Sequence, residues 1–190
     1  VPLVGVNHLE SHINSVFLEP QSPAFPFVAL LASGGHTGIY YVTSHTSVEL
    51  MGQTRDDAAG EAFDKVAKLL GLGYPGGGVI DRLAKEGNPE KIAFTRPYLN
   101  KSDFDFSFSG IKTAVRHYVD KHPSDYNDQI ADIAAGFQAA VVEVLTYKLI
   151  RAAQIKNCEH MAVVGGVAAN SGLRNSVRRH AEGRGLKVHI

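Results

Sequence analysis

Four stretches of the 190-residue sequence combine residue types that could do chemistry. SGGHT, at positions 33–37, joins the apolar run FVALLA to GIYYV. Its glycines let backbone N–H groups come close to an anion, with Ser33 and Thr37 adding hydroxyl donors. A strand follows rather than a helix, and neither GxGxxG nor GxxxxGK[ST] is present, so no dinucleotide fingerprint or P-loop is formed. Taken alone, it also reads as an ordinary glycine hairpin. VVGGVAANSGLR is a second glycine turn, between a strand and a helix, where Gly165 and Gly166 leave room for a flat ring or a ribose. Asn170 either caps that helix or hydrogen-bonds a ligand.

The third stretch, DDAAGEAFDKVAKLLGLG, puts Ala59, Ala62, Phe63, Val66 and Leu70 on one helix face and Asp57, Glu61 and Asp64 together on the other. That acidic face is either solvated surface or a site where Asp64 accepts from ribose hydroxyls and Asp56 and Asp57 organise the entrance. Gly76, Gly77 and Asp81, one turn into the next helix, would line the same pocket. In HLESH, His8 and His12 stand at i and i+4, so both imidazoles can reach one ion. Leu9 occupies the glutamate position of HExxH, which removes the general base of a zinc protease. Two ligands do not complete a metal site, and a pair of structural histidines remains the alternative.

These groups need elements to position them. A short helix carrying His8 and His12 ends at QSPAFP, and FVALLAS, TGIYYVTS and SVELMGQT then predict three antiparallel strands. DDAAGEAFDKVAKLLGLG predicts a helix with acidic residues at its start and glycine at its end. A polar, partly helical insertion runs over about 80–127, with the alternation FDFSFS and a helix over 111–119. The long helix DIAAGFQAAVVEVLTYKLIRAA follows, then the strand HMAVVGG, the helix NSGLRNSVRRHA and the strand GLKVHI. This order predicts an α/β fold with a mixed sheet flanked by helices, similar to one half of an actin-like ATPase of the ribonuclease-H-like fold. Residues 1–26 would end an N-terminal subdomain, and 27–190 would form the second. In such a fold the hairpin for phosphate and the strand-GG-helix turn for adenosine are the two halves of a nucleotide site.

Nineteen basic and nineteen acidic residues cancel, so no global field draws the chain to nucleic acid or an anionic membrane. Arg174, Arg178, Arg179, Arg184 and Lys187 read as solvated helix faces, or as phosphate contacts without base information. A hydrophobic content of 44% suffices for a core, and the lone cysteine, Cys158, excludes an internal disulfide and suits a reducing cytosol. No apolar stretch is expected to reach a membrane span of about 18 residues, so a soluble cytoplasmic protein without a membrane contact is expected. Opening on Val1 and closing on a strand-like GLKVHI, the chain is expected to be an internal piece of a longer protein.

Taken in order, NHLESHINS, LLASGGHT, GQTRDDAAGEAFDKVAKLLGLGYPGGG, FSFSGIKTAV and VVGGVAANSGLR closely resemble the bacterial tRNA N6-adenosine threonylcarbamoyltransferase family, once called glycoproteases or O-sialoglycoprotein endopeptidases. The resemblance implies transfer of threonylcarbamoyl from threonylcarbamoyl-adenylate to N6 of adenosine 37 in tRNAs that read codons beginning with A. It implies an adenylate site of Leu31, Ala32, Ser33, Gly34, Gly35, Asp64, Gly77, Asp81 and Asn170; it names no general base, and His36 in the loop is a candidate only by its residue type. It implies one divalent metal ion, iron in preference to zinc, held by His8 and His12 with a third ligand from outside this chain. The implied partners are tRNA, a paralogous actin-like subunit and a small ATPase. Two other readings stay open: an ATP-dependent small-molecule carbamoyltransferase or kinase of the same fold, and, less favoured, a metalloendopeptidase.

Overall fold

Six consecutive apolar residues with no polar alternation need cover on both faces, and Phe27–Ala32 (β1) is buried at every position. It lies at the centre of a five-stranded sheet of order β3-β2-β1-β4-β5. The computed structural model describes residues 1–3, 5–97 and 102–190. Thr37–Ser44 (β2) pairs antiparallel with β1, and Ser47–Gln53 (β3) pairs antiparallel with β2. His160–Val164 (β4) runs parallel to β1, and Lys187–His189 (β5) parallel to β4. The mixed sheet with flanking helices is the actin-like fold that the element order implied.

Helices cover the sheet unequally. His8–Asn14 (α1) and the turn Ser15–Leu18 cover one face, where Ile13 and Val16 meet Phe27, Ala29, Leu31, Tyr40 and Val42. Val28, Leu30 and Ala32 point the other way, into the main core. That core is closed by Ala59–Leu69 (α2), Gly76–Leu83 (α3), Ser109–Lys121 (α4), Ile130–Ile155 (α5) and Ser171–Ala181 (α6). An 18-residue window within Tyr126–Ile155 has the length and mean hydropathy, 1.4, of a membrane span, yet 83% of it is buried inside the fold. The expectation that no stretch would reach that length is therefore corrected: α5 reaches it because a core helix is apolar nearly all round.

The stretch read as an insertion supplies core residues. Ile92, Phe94, Phe106, Phe108, Ile111 and Val115 are all buried in the main cluster. FDFSFS turns its phenylalanines inward, while Phe106 N–H donates to Gln53 O at 3.0 Å and Arg55 N–H donates to Phe106 O at 3.0 Å. Lys148, fully buried on α5, clamps the same stretch by donating to the carbonyls of Asp103 and Asp105 at 3.2 and 2.5 Å. Burial lowers the pKa of this lysine, and Asp103 and Asp105 oppose that shift.

Candidate functional site

The SGGHT loop is fixed by its own serine. Ser33 N–H donates to His36 O at 2.8 Å, and Ser33 Oγ accepts from the N–H groups of His36 and Gly35 at 3.0 and 3.4 Å. Helix α2 then clamps the loop from below. Gly60 N–H donates to Ser33 O at 3.1 Å, and a Cβ on Gly60 would come within 2.6 Å of that same oxygen. Thr37 differs from its expected role as an anion donor. The residue is 3% exposed, and its hydroxyl accepts from Ala59 N–H at 2.8 Å and so caps α2.

The expected acidic face also divides. Asp56 leaves α2 and caps α4, accepting from the N–H groups of Phe108 and Ser109 at 2.8 and 3.3 Å. Asp57 pairs with Lys65 and Lys112 at 2.7 and 3.1 Å. Burial acts to raise the Asp57 carboxyl, but the two lysines outweigh it and hold it below the usual carboxylate range. Glu61 accepts from Ala58 N–H at 3.3 Å and pairs with Lys65 at 2.8 Å. Only Asp64 turns toward the glycine loops, and its Oδ1 accepts from Gly76 N–H at 2.7 Å at the start of α3. The reason is local: Asp56 and Asp57 precede the helix, so helical spacing does not govern where they point.

A cavity of about 250 Å³ lies where these pieces meet, and Gly34, Gly60, Asp64, Gly77, Gly78, Asp81, Gly166 and Asn170 line it. At Gly34, Gly77, Gly78 and Gly166 an added Cβ would meet no atom within 4 Å, so these four glycines open onto empty space. Gly77 and Gly78 sit in the first turn of α3, where N–H groups have no partner within the helix and the macrodipole is positive. Gly34 N–H makes no hydrogen bond among the described residues, whereas the first N–H groups of α2 are taken by Thr37 and Ser33. The bottom of the cavity is thus a set of free backbone donors suited to a phosphate.

Asp81 braces the opposite wall. It accepts from Ser171 Oγ at 2.9 Å and from the N–H groups of Ser171 and Gly172 at 3.2 and 3.5 Å, at the start of α6. Burial acts to raise this carboxyl, but those bonds and nearby Lys85 outweigh it and hold it below the usual range. Asn170, 8% exposed, caps α6 by accepting from Leu173 N–H at 2.9 Å. Of the two glycines in VVGG, Gly166 faces the cavity, whereas Gly165 has another cause. Its φ of +93° and a Cβ position 2.5 Å from Ala32 O make it the close contact between β4 and β1, not room for a ring.

Leu31 and Ala32 are fully buried in β1, so they shape the site only by carrying the loop. Ser33 and Gly35 belong to the loop without lining the cavity, and His36 is exposed beyond it. His8 and His12 lie edge to face with ring centroids 4.8 Å apart, and the His36 ring is 5.6 Å from His8. None of the three rings makes a protein hydrogen bond among the described residues. Three His, Cys, Asp or Glu side chains arranged for a metal do not occur among them either. The pair fits part of a metal site. Spacing alone missed Gly60, for which a glycine in a first helical turn was the available signal.

The model of the tRNA N6-adenosine threonylcarbamoyltransferase family matches residues 1–190. The chain belongs to this family. Three relatives carry the same description: those from Desulforapulum autotrophicum (53% identical over 190 residues), Geotalea uraniireducens (53% over 191) and Clostridium perfringens (50% over 189). These alignments cover 100%, 100% and 98% of this chain and 57%, 55% and 56% of the relatives, so the chain spans little more than half their length. A solved structure, the (R)-2-hydroxyglutaryl-CoA dehydratase component A of Acidaminococcus fermentans, matches at TM-score 0.54 and 19% identity. It covers 95% of this chain and 60% of the other, and shows the shared fold alone.

Proposed function

We propose that the protein to which this chain belongs transfers threonylcarbamoyl from threonylcarbamoyl-adenylate to N6 of adenosine 37 of tRNA. The observation that carries this reading is the convergence of Gly34, Asp64, Gly77, Asp81 and Asn170 on one cavity in a chain matched by the family along all 190 residues. The free N–H groups of Gly34, Gly77 and Gly78 hold the phosphate, and the second oxygen of Asp64 accepts from the ribose. The adenosine N6 attacks the carbamoyl carbon, the C–N bond forms, the C–O bond to phosphate breaks and AMP leaves. Because the substrate arrives activated, positioning and charge stabilisation supply most of the acceleration. His36, the exposed imidazole beside His8, is the candidate to receive the amine proton.

His8 and His12 would hold an iron or zinc ion together with a third ligand from outside this chain. When bound, such an ion supplies Lewis-acid polarisation of an oxygen in the mixed anhydride. The reaction takes place in the cytoplasm, away from membranes, with a paralogous actin-like subunit and a small ATPase as partners. The test is nucleoside mass spectrometry of tRNA from cells depleted of the full-length protein and complemented with wild type or Asp64→Asn. The substituted amide would keep the bond to Gly76 N–H but turn an NH₂ group toward the ribose. We expect wild type to restore threonylcarbamoyladenosine and the variant to restore much less. Normal levels in depleted cells would overturn the proposal in favour of a small-molecule carbamoyltransferase or kinase.

A further inference from the structure

Asn170 is pinned from both ends, and its second partner comes from a distant helix. Leu173 N–H is a fixed donor, so Asn170 must turn Oδ1 toward it, which leaves Nδ2 on the other side. One Nδ2 hydrogen goes to Gln138 Oε1 on α5, at 2.7 Å. Both side chains are nearly sealed from solvent, Gln138 at 7% and Asn170 at 8% exposure. Gln138 also lines a second cavity of about 820 Å³ between α5 and α6, so the Gln138–Asn170 pair forms part of the wall between the two spaces. Gly172 makes room for it: a Cβ there would lie 2.8 Å from Gln138 Nε2 and 3.2 Å from Asn170 Oδ1.

We infer that Gln138 is a positioning residue for the nucleotide site: with the Asn170 carbonyl already held by Leu173 N–H, Gln138 fixes the Nδ2 end so that its remaining N–H faces the ligand. The inference rests on the cavity being the nucleotide site proposed above. It explains how Asn170 can cap a helix and still serve a ligand, since an amide carries two donor hydrogens and the cap uses none. A donor at this wall suits an acceptor of the bound nucleoside, a ring nitrogen or a ribose oxygen. The group at position 138 therefore needs to accept a hydrogen bond, a role that glutamate fills and methionine does not.

The test uses the full-length protein as wild type, Gln138→Met and Gln138→Glu, with AMP as the probe. Titration calorimetry gives affinity, and ¹⁵N–¹H correlation spectra follow the Asn170 side-chain amide. We expect Gln138→Met to weaken AMP about tenfold, the loss of one ordered hydrogen bond. Its Asn170 amide should shift and exchange faster with water, while Gln138→Glu keeps both affinity and resonance near wild type. Equal AMP affinity in wild type and Gln138→Met would overturn the inference, as would an unmoved Asn170 amide in Gln138→Met. Should wild type bind no AMP, the proposed function falls. The inference then falls with it, whereas AMP binding by wild type that Gln138→Met leaves unchanged overturns the inference alone.

Discussion

Replacing Gly77 by alanine should raise stability and lower nucleotide affinity at once, a combination that few residues could give. Gly77 lies in the first turn of α3, outside the left-handed region, and a Cβ there meets nothing within 4 Å. The methyl group therefore strains nothing in the folded chain and narrows the freedom of the unfolded one, worth about 0.4–1 kcal/mol. In the full-length protein, nearly twice the size of this chain if it matches its relatives, that raises Tm by about 0.5–1.5 °C. The same methyl projects into the cavity of about 250 Å³. A phosphate oxygen that would sit about 2.9 Å from a backbone N–H is instead held off at methyl contact distance, about 3.5–4 Å. Losing one hydrogen bond to a charged group costs about 1.5–3 kcal/mol, so AMP affinity should fall about ten- to hundredfold. Thermal melts and titration calorimetry on the full-length protein measure both. A higher Tm with unchanged AMP affinity would refute the assignment of the cavity, and a lower Tm would refute the claim that Gly77 opens onto empty space.

Thr37→Val keeps the side-chain shape but leaves Ala59 N–H buried without its acceptor, so urea unfolding should show a loss of about 1–2 kcal/mol that Thr37→Ser largely recovers. An unchanged midpoint in Thr37→Val would show that the hydroxyl does not cap α2. Acid should weaken the fold through depressed carboxylates. The Gln53 N–H holds Asp105 low, the Asn88 N–H and Lys91 hold Asp132 low, and Asp57 and Asp81 are low as described, all from an ordinary value of 3.8. A carboxylate lower in the folded than in the unfolded state stabilises fully above its unfolded pKa and loses that contribution as pH falls through its folded one. The urea midpoint should therefore drop between about pH 5 and about pH 3, and a flat or rising midpoint would contradict the assignment.

The sequence alone determined the order and type of the elements. Strands β1 to β3 follow from β-branched and aromatic runs broken by turn residues, and the apolar faces of α2 and α6 follow from a period of 3.6, because both signals are written between near neighbours in the chain. The same local logic found both glycine turns, and the tertiary structure brought Gly34, Asp64, Gly77, Asp81 and Asn170 to one cavity. Only that structure decided what each polar group is for. The hydroxyl of Thr37 went to a helix 22 residues away, Asp56 to one 52 residues away, and Asp81 to Ser171 across 90 residues. Gln138 reached Asn170 across 32. Spacing carries no information about such partners, since a hydrogen bond is set by the few ångströms between atoms in space and not by the chain length that separates them.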